Sequence, residues 1–270
     1  VFGLVSQDLT TAAVHVSATL ESSGEQPLPG ALRARIVETC QDATAQITLP
    51  PGESRHEVVL QLDHPQLWWP RGHGEQPRYT VEVELEAAGE VQRATRRLGL
   101  RRVEINNRPI FCKGGNWVPP DLLYSTVDEA RTRALVDLAA GANFNLLRIW
   151  GGGVYADHVL LEACDQRGLL VWHDFIFACC KDPGDDPAFA AEVRREATHV
   201  VRELAHHPSL VVWCGNNEIE WGDWEWGFDD HGRTHPHYAL FHHDLPLICR
   251  TENPATPYWI SSPFSPDQRR

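Results

Sequence analysis

Two periods divide the chain. Over residues 1–102, apolar positions alternate with polar ones, as in Val14, Val16, Ala18 and Leu20, then Leu32, Ala34 and Ile36, then Val81, Val83 and Leu85. A period of two buries one face of a strand and leaves the other in water. Clusters of turn-forming residues at 22–24, 27–30, 50–52 and 71–74 separate these runs. Short strands at this spacing predict an antiparallel β-sandwich of immunoglobulin-like type over 1–102. Nothing in that half reads as catalytic.

From residue 103 onward, short apolar runs alternate with helical segments. The runs at 110–113, 144–150, 169–175, 210–215 and 258–261 read as strands. Thr126 and Glu129 have the spacing of a capping box, and Ala130, Ala134, Leu135 and Leu138 offer the apolar face of the helix that follows. A second helix spans about 156–167 and closes at Gly168; a third opens at Asp186-Pro187 and runs to about 206. Strands apolar on both faces, joined through helices, imply a parallel sheet. Polar residues gather where the strands end: Gly115 and Asn116, then 151–153, then Asp174, then 216–218. A (β/α)8 barrel and a doubly wound sheet both place ligands there, and five strands do not separate the two.

Composition narrows the chemistry. The net charge of −13 argues against nucleic acid, whose phosphates need a basic surface. No run of eighteen apolar residues is present to cross a membrane as a helix. The chain opens on Val1 without a signal-peptide pattern and contains no Met, so its first residue is not read as a native start. Seven cysteines at irregular spacing read as free thiols, which points to a reducing, cytoplasmic compartment. Ten tryptophans supply flat apolar faces for sugar rings, or else core volume.

The sharpest local feature is Asn216-Asn217-Glu218, delivered by the apolar run Val211, Val212 and Trp213. It reads either as a capping Asn beside a solvated Glu, or as a general acid set in apolar surroundings. Trp221, Trp224 and Trp226 would supply such surroundings and a platform for sugar. Trp150 followed by three glycines reads as a ligand-facing indole with room around it, or as a core Trp beside a loop. Asp174, ending an apolar strand, either binds a ligand or pairs with Arg148. Fourteen histidines, including His231, His235 and His237, show no zinc spacing, so neither metal nor cofactor is expected. A Gly-x-Ser-x-Gly elbow is absent, which weighs against serine hydrolysis.

Four motifs, in order, resemble family 2 glycoside hydrolases and, within them, the β-mannosidase branch. They are Asn-Arg-Pro-Ile-Phe-Cys-Lys-Gly-Gly-Asn-Trp at 107–117, Arg-Ile-Trp-Gly-Gly-Gly at 148–153, Leu-Val-Trp-His-Asp-Phe-Ile-Phe-Ala-Cys at 170–179, and His-Pro-Ser-Leu-Val-Val-Trp-Cys-Gly-Asn-Asn-Glu at 207–218. The resemblance implies an immunoglobulin-like sandwich (1–102) followed by the first part, about five strands, of a catalytic (β/α)8 barrel (103–270). It implies Glu218 as general acid/base and Asn217 as the amide that bonds the sugar's 2-hydroxyl. Trp150 and Trp226 would line the sugar site, with Asp174 in the pocket motif. The implied partner is a β-linked mannoside glycan, cleaved with retention; another β-glycoside, or sugar binding without catalysis, are the alternatives. The nucleophile Glu of this family follows a seventh strand, whereas the chain stops after its fifth, and the family's N-terminal jelly-roll domain is not seen. As a piece of a longer enzyme the chain alone is expected to be inactive and poorly stable. Glu252, before the fifth strand, is wrongly placed to be the nucleophile. Two departures stand out: His173, where the resemblance leads one to expect Gln, and the polar Cys180-Lys181-Asp182.

Overall fold

The computed structural model describes residues 1–102, 105–226 and 238–264, without the Trp224 side chain. The chain divides into two compact units, one of 1–69, 74–109 and 206–208, the other of 70–73, 110–205 and 209–270.

The first unit is a sandwich of two antiparallel sheets. One holds β1 (Phe2–Val5), β2 (Thr11–Ser22) and β5 (Gly52–Asp63); the other runs β4 (Asp42–Leu49), β3 (Leu28–Ile36), β6 (Tyr79–Ala87), β7 (Glu90–Leu98). Alternation works as expected: Val14, Val16, Leu32, Ala34, Ile36 and Val81 all enter its core. Pro29 and Gly30 lie inside β3, so the 27–30 cluster is not a turn as a whole. The unit extends past residue 102 because Asn106 ties 105–109 back to it. The Asn106 Oδ1 accepts from Arg102 N at 2.9 Å and its Nδ2 donates to Trp68 O at 3.0 Å.

The second unit carries a five-stranded parallel sheet in the order β12-β11-β10-β9-β8. Its strands are β8 (Gly114–Trp117), β9 (Leu146–Ile149), β10 (Leu170–Asp174), β11 (Leu210–Cys214) and β12 (Tyr258–Trp259). Sequential neighbours joined through helices α1 (Glu129–Gly141), α2 (His158–Arg167) and α3 (Pro187–Leu204) make the first part of a (β/α)8 barrel. Among the described residues, α-helices α4 (Ile219–Glu225) and α5 (Leu245–Glu252) lie between β11 and β12.

Three local readings are corrected. Residues 110–113 are not a strand; the ladder begins at Gly114, and Gly115 and Asn116 lie within it. The Asn145 side chain holds 111–113 as a loop, accepting from Lys113 N at 2.7 Å and donating to Phe111 O at 2.9 Å, while Phe111 is exposed. Helix α1 is capped by Asp128, whose carboxylate accepts from Arg131 N, and Thr126 sits in the preceding 3-10 turn. That start turns Thr132, Val136 and Ala140 inward and leaves Ala130, Ala134 and Leu138 exposed; both sets have i, i+4 spacing, so spacing alone does not choose the buried face. Helix α3 ends at Leu204, and His206 and His207 beyond it are buried. The other terminal signals hold: Asp186 caps α3 ahead of Pro187, and Gly168 takes the left-handed conformation (φ 69°) after α2.

Alternation along the parallel strands sorts the side chains. Leu147, Ile149, Val171, Phe175 and Trp213 pack with α1, α2 and α3 in one core. The intervening positions Asn116, Arg148 and Trp172 stand in register on the opposite face.

Candidate active site

The polar cluster forms at the C-terminal ends of β9, β10 and β11, where a barrel concentrates its chemistry. Main-chain pairing continues past the ends of the strands. Asn217 bridges Ala178 on one side and Ser262 on the other, with Asn217 N donating to Phe177 O (2.9 Å), Cys179 N to Asn217 O (3.0 Å) and Glu218 N to Ser262 O (3.0 Å). Gly215 makes the close approach to β12 possible: a Cβ there would lie 2.2 Å from Tyr258 Oη and 2.3 Å from Ile260 O.

The three polar residues after β11 have separate tasks. Asn216 is structural: its Oδ1 accepts from Ile219 N (3.1 Å) and from Ser261 Oγ (2.7 Å), and its Nδ2 donates to Ile260 O (3.3 Å). Asn217 is buried and belongs to a polar chain. Its Oδ1 accepts from Arg148 Nη2 at 2.8 Å, and its Nδ2 donates to Cys179 Sγ at 3.4 Å. Glu218 is half-buried, takes the left-handed conformation (φ 64°) immediately before α4 and makes no capping bond with its side chain. Cys179, also left-handed (φ 55°), donates its thiol hydrogen to Glu218 Oε2 at 3.3 Å. Each non-glycine residue held there stores on the order of 1 kcal/mol, the kind of strain that collects at functional sites.

Asp174 anchors the cluster. Its side chain is fully buried and accepts from Arg148 Nε (3.2 Å) and Nη2 (2.7 Å), Trp172 Nε1 (2.9 Å) and Gly151 N (3.0 Å). Of its two sequence readings, the structure has the pairing with Arg148. Burial pushes its carboxyl pKa up, against the pull of the Arg148 guanidinium and the other donors. Arg148 thereby spans Asp174 and Asn217. Neither Arg148 in that bridging role nor Cys179 was a candidate on sequence, although both stand in the motifs; the signal was the alternation that turns Arg148 away from the helices.

Trp150 is tied through its backbone N to Trp117 O (3.1 Å), and its indole lies over Gly152, where a Cβ would come within 2.1 Å of the ring. With Trp117, Pro119, Tyr124 and Tyr155 it lines a recess beside the sheet ends. Trp226 is exposed at the end of α4, its ring 5.7 Å from that of Trp221. His231, His235 and His237 lie outside the described residues. Glu252 is buried in α5 with its two oxygens bonded to Arg202 (3.0 and 3.2 Å), which accounts for it structurally.

His173 packs behind the site, fully buried against Trp213 and Tyr155. Its Nε2 accepts from Ala156 N (3.0 Å), so Nδ1 carries the hydrogen that it shares with Asp174 O (2.7 Å). Burial drives its pKa down to about 4. The Gln expected here from the resemblance would likewise offer a donor and an acceptor.

A sandwich ahead of a partial parallel barrel, with an Asn-Glu pair at the fourth strand end of that barrel, defines a glycoside hydrolase architecture. The family model described as glycosyl hydrolases family 2 matches residues 4–101. The chain is 33% identical to Beta-mannosidase B of Thermothelomyces thermophilus over 97% of its length, and 39% identical to Beta-mannosidase of Bos taurus over 66%. The crystal structure of a β-D-mannosidase from Dictyoglomus thermophilum superposes on 98% of it with a TM-score of 0.85 and 32% identity. A Parabacteroides merdae β-glucuronidase shares the fold at a TM-score of 0.72 and 17% identity. The chain belongs to the family 2 glycosyl hydrolases. Within that family it is similar to β-mannosidases, and it spans about a third of their length, 33% and 34% for the fungal sequence and the Dictyoglomus structure.

Proposed function

We propose that the protein carrying this chain is a retaining β-mannosidase that removes β-linked mannose from non-reducing ends, with Glu218 as its general acid/base. The observation that carries this reading is the Asn217-Glu218 pair. A half-buried carboxylate is fixed by main-chain bonds at a barrel strand end, beside an amide held by Arg148 and Cys179. The mannose specificity rests on the names of the relatives.

In the first half-reaction Glu218 protonates the leaving glycosidic oxygen while a second carboxylate attacks the anomeric carbon; in a retaining site the two stand about 5–5.5 Å apart. In the second, Glu218 takes a proton from water. The nucleophile is assigned to none of the described residues. The Asn217 Nδ2 gives one hydrogen to Cys179 and keeps another for the sugar's 2-hydroxyl. Trp150 and Trp226 offer faces on which the ring stacks. Asp174, bonded to Arg148, Trp172 and Gly151, holds Arg148 and through it Asn217, and so sets the floor of the pocket.

The test is hydrolysis of aryl β-mannosides, β-galactosides and β-glucuronides by the full-length protein, alongside Glu218→Gln. Mannosides should be preferred. The variant should lose about 10²–10⁴-fold on a poor leaving group, as removal of a general acid does, and far less in kcat/KM on an activated one. A variant equal to the parent, or a parent inactive on mannosides, would refute the reading.

A further inference from the structure

Cys179 also touches Glu218 itself, a contact that the mechanism above leaves unused. Its sulfur receives Asn217 Nδ2 at 3.4 Å and donates to Glu218 Oε2 at 3.3 Å, completing a chain of bonds from Asp174 through Arg148 and Asn217 to the carboxylate. Among the described residues nothing bonds Oε1. Cys180, next in sequence, turns its thiol to Asp182 Oδ1 at 3.6 Å, so Glu218 is the carboxylate that Cys179 meets.

We propose that Cys179 is a positioning residue for the acid/base: its thiol occupies Oε2 and leaves Oε1 to carry the transferred proton. This rests on the β-mannosidase reading and deepens it. The balance is simple. When the glycosidic C–O bond breaks, the proton on Oε1 goes to the leaving oxygen and Glu218 becomes a carboxylate. When water attacks the glycosyl-enzyme, its proton returns to Oε1. The thiol keeps its own hydrogen throughout. A donor bonds a carboxylate more strongly than a carboxylic acid, so the S–H contact strengthens as the acid gives up its proton, and its contribution falls on the transition state. The bond is reciprocal: loss of hydration, then the contact with Glu218, raises the pKa of the Cys179 thiol.

The experiment uses the full-length protein and two readouts. The first compares Cys179→Ala and Cys179→Ser on phenyl and 2,4-dinitrophenyl β-mannosides. A role through Glu218 predicts that Ala loses about tenfold in kcat/KM on the phenyl substrate and under about twofold on the dinitrophenyl one, which needs no acid. Ser, which keeps a donor and an acceptor, restores most of the loss. Equal losses on both substrates, no loss in Ala, or Ser no better than Ala would overturn the proposal. The second readout needs no sugar: the pH profile of iodoacetamide alkylation at Cys179, read by peptide mass spectrometry. Glu218→Gln should move that profile down by about half a pH unit or more, because the thiolate no longer forms beside a carboxylate. An unmoved profile overturns the contact itself. A moved profile in a protein inactive on every glycoside defeats the β-mannosidase reading while upholding the hold of Cys179 on Glu218.

Discussion

His173 shows how much one buried side chain can fix. Both ring nitrogens are used, Nε2 as acceptor and Nδ1 as donor, so the fold accepts only the neutral imidazole. The unfolded chain takes up a proton at the ordinary 6.5, the folded chain only near 4. Between those values the unfolded state binds more protons, so stability falls as pH drops through the window and levels off below it. The expected loss is roughly 3 kcal/mol between pH 6.5 and 4. Urea unfolding at several pH values checks this, with His173→Gln as the control whose curve should lack that slope. At this scale the sequence was partly legible. The motifs mark Glu218, Asn217 and Trp150, the resemblance alone adds Trp226, and Asp174 has two readings. The Arg148 bridge and the Cys179 thiol were not legible, because a hydrogen bond between residues 38 or 69 positions apart leaves no periodic trace.

Among the elements, strand ends proved harder to place than strands. Apolar Ile110 and Phe111 imitate a strand start, but pairing begins where Gly114 lets β8 approach β9; a Cβ there would lie 1.7 Å from Leu146 O. The cap was legible at Asp186, where Pro187 follows it, passed unread at Asp157, and was misread where Thr126 competed with Asp128 two residues on. Gly215 is the element-scale counterpart at the site. Its replacement by Ala must push the β12 end away, since one of the atoms met is main-chain oxygen. Gly215→Ala should therefore cost about 2 kcal/mol, seen as a lower urea midpoint, and should lower mannoside turnover by disturbing the Glu218–Ser262 pairing. A variant as stable and active as the parent would show that β12 yields freely.

For the whole molecule, the change of period near residue 103 separated sandwich from barrel because burial on one face and burial on two leave different patterns. What the periods did not convey was which strand positions face away from the helices; Arg148 and Trp172 look out of place until alternation is applied to the register. The thiols give a test at this scale. All seven are free; Cys164, Cys214 and Cys249 are buried, and Cys40, Cys112, Cys179 and Cys180 are exposed. Titration of the chain's cysteines with a thiol reagent, mapped by peptide, should label the exposed four in the native protein. The buried three should react only in denaturant, and reductant should leave Tm unchanged. Labelling of Cys214 without denaturant would mean that the packing around Asp174 and Trp172 opens.

The bonds that seat Asn217 and Glu218 between the loops after β10 and β12 run from main chain to main chain. A scaffold of that kind is indifferent to most side chains around it. Residues 176 and 178 can therefore drift, by natural variation or by directed evolution, and reshape what the loops present to a glycan while the carboxylate stays in place. Proline is the exception at positions 179, 217 and 218, since it would delete the amide hydrogen on which the seating depends. Libraries that vary these loops for new glycoside specificity should tolerate most residues at 176 and 178, keep an apolar residue at 260, where Ile260 packs on the core, and reject proline at 179, 217 and 218.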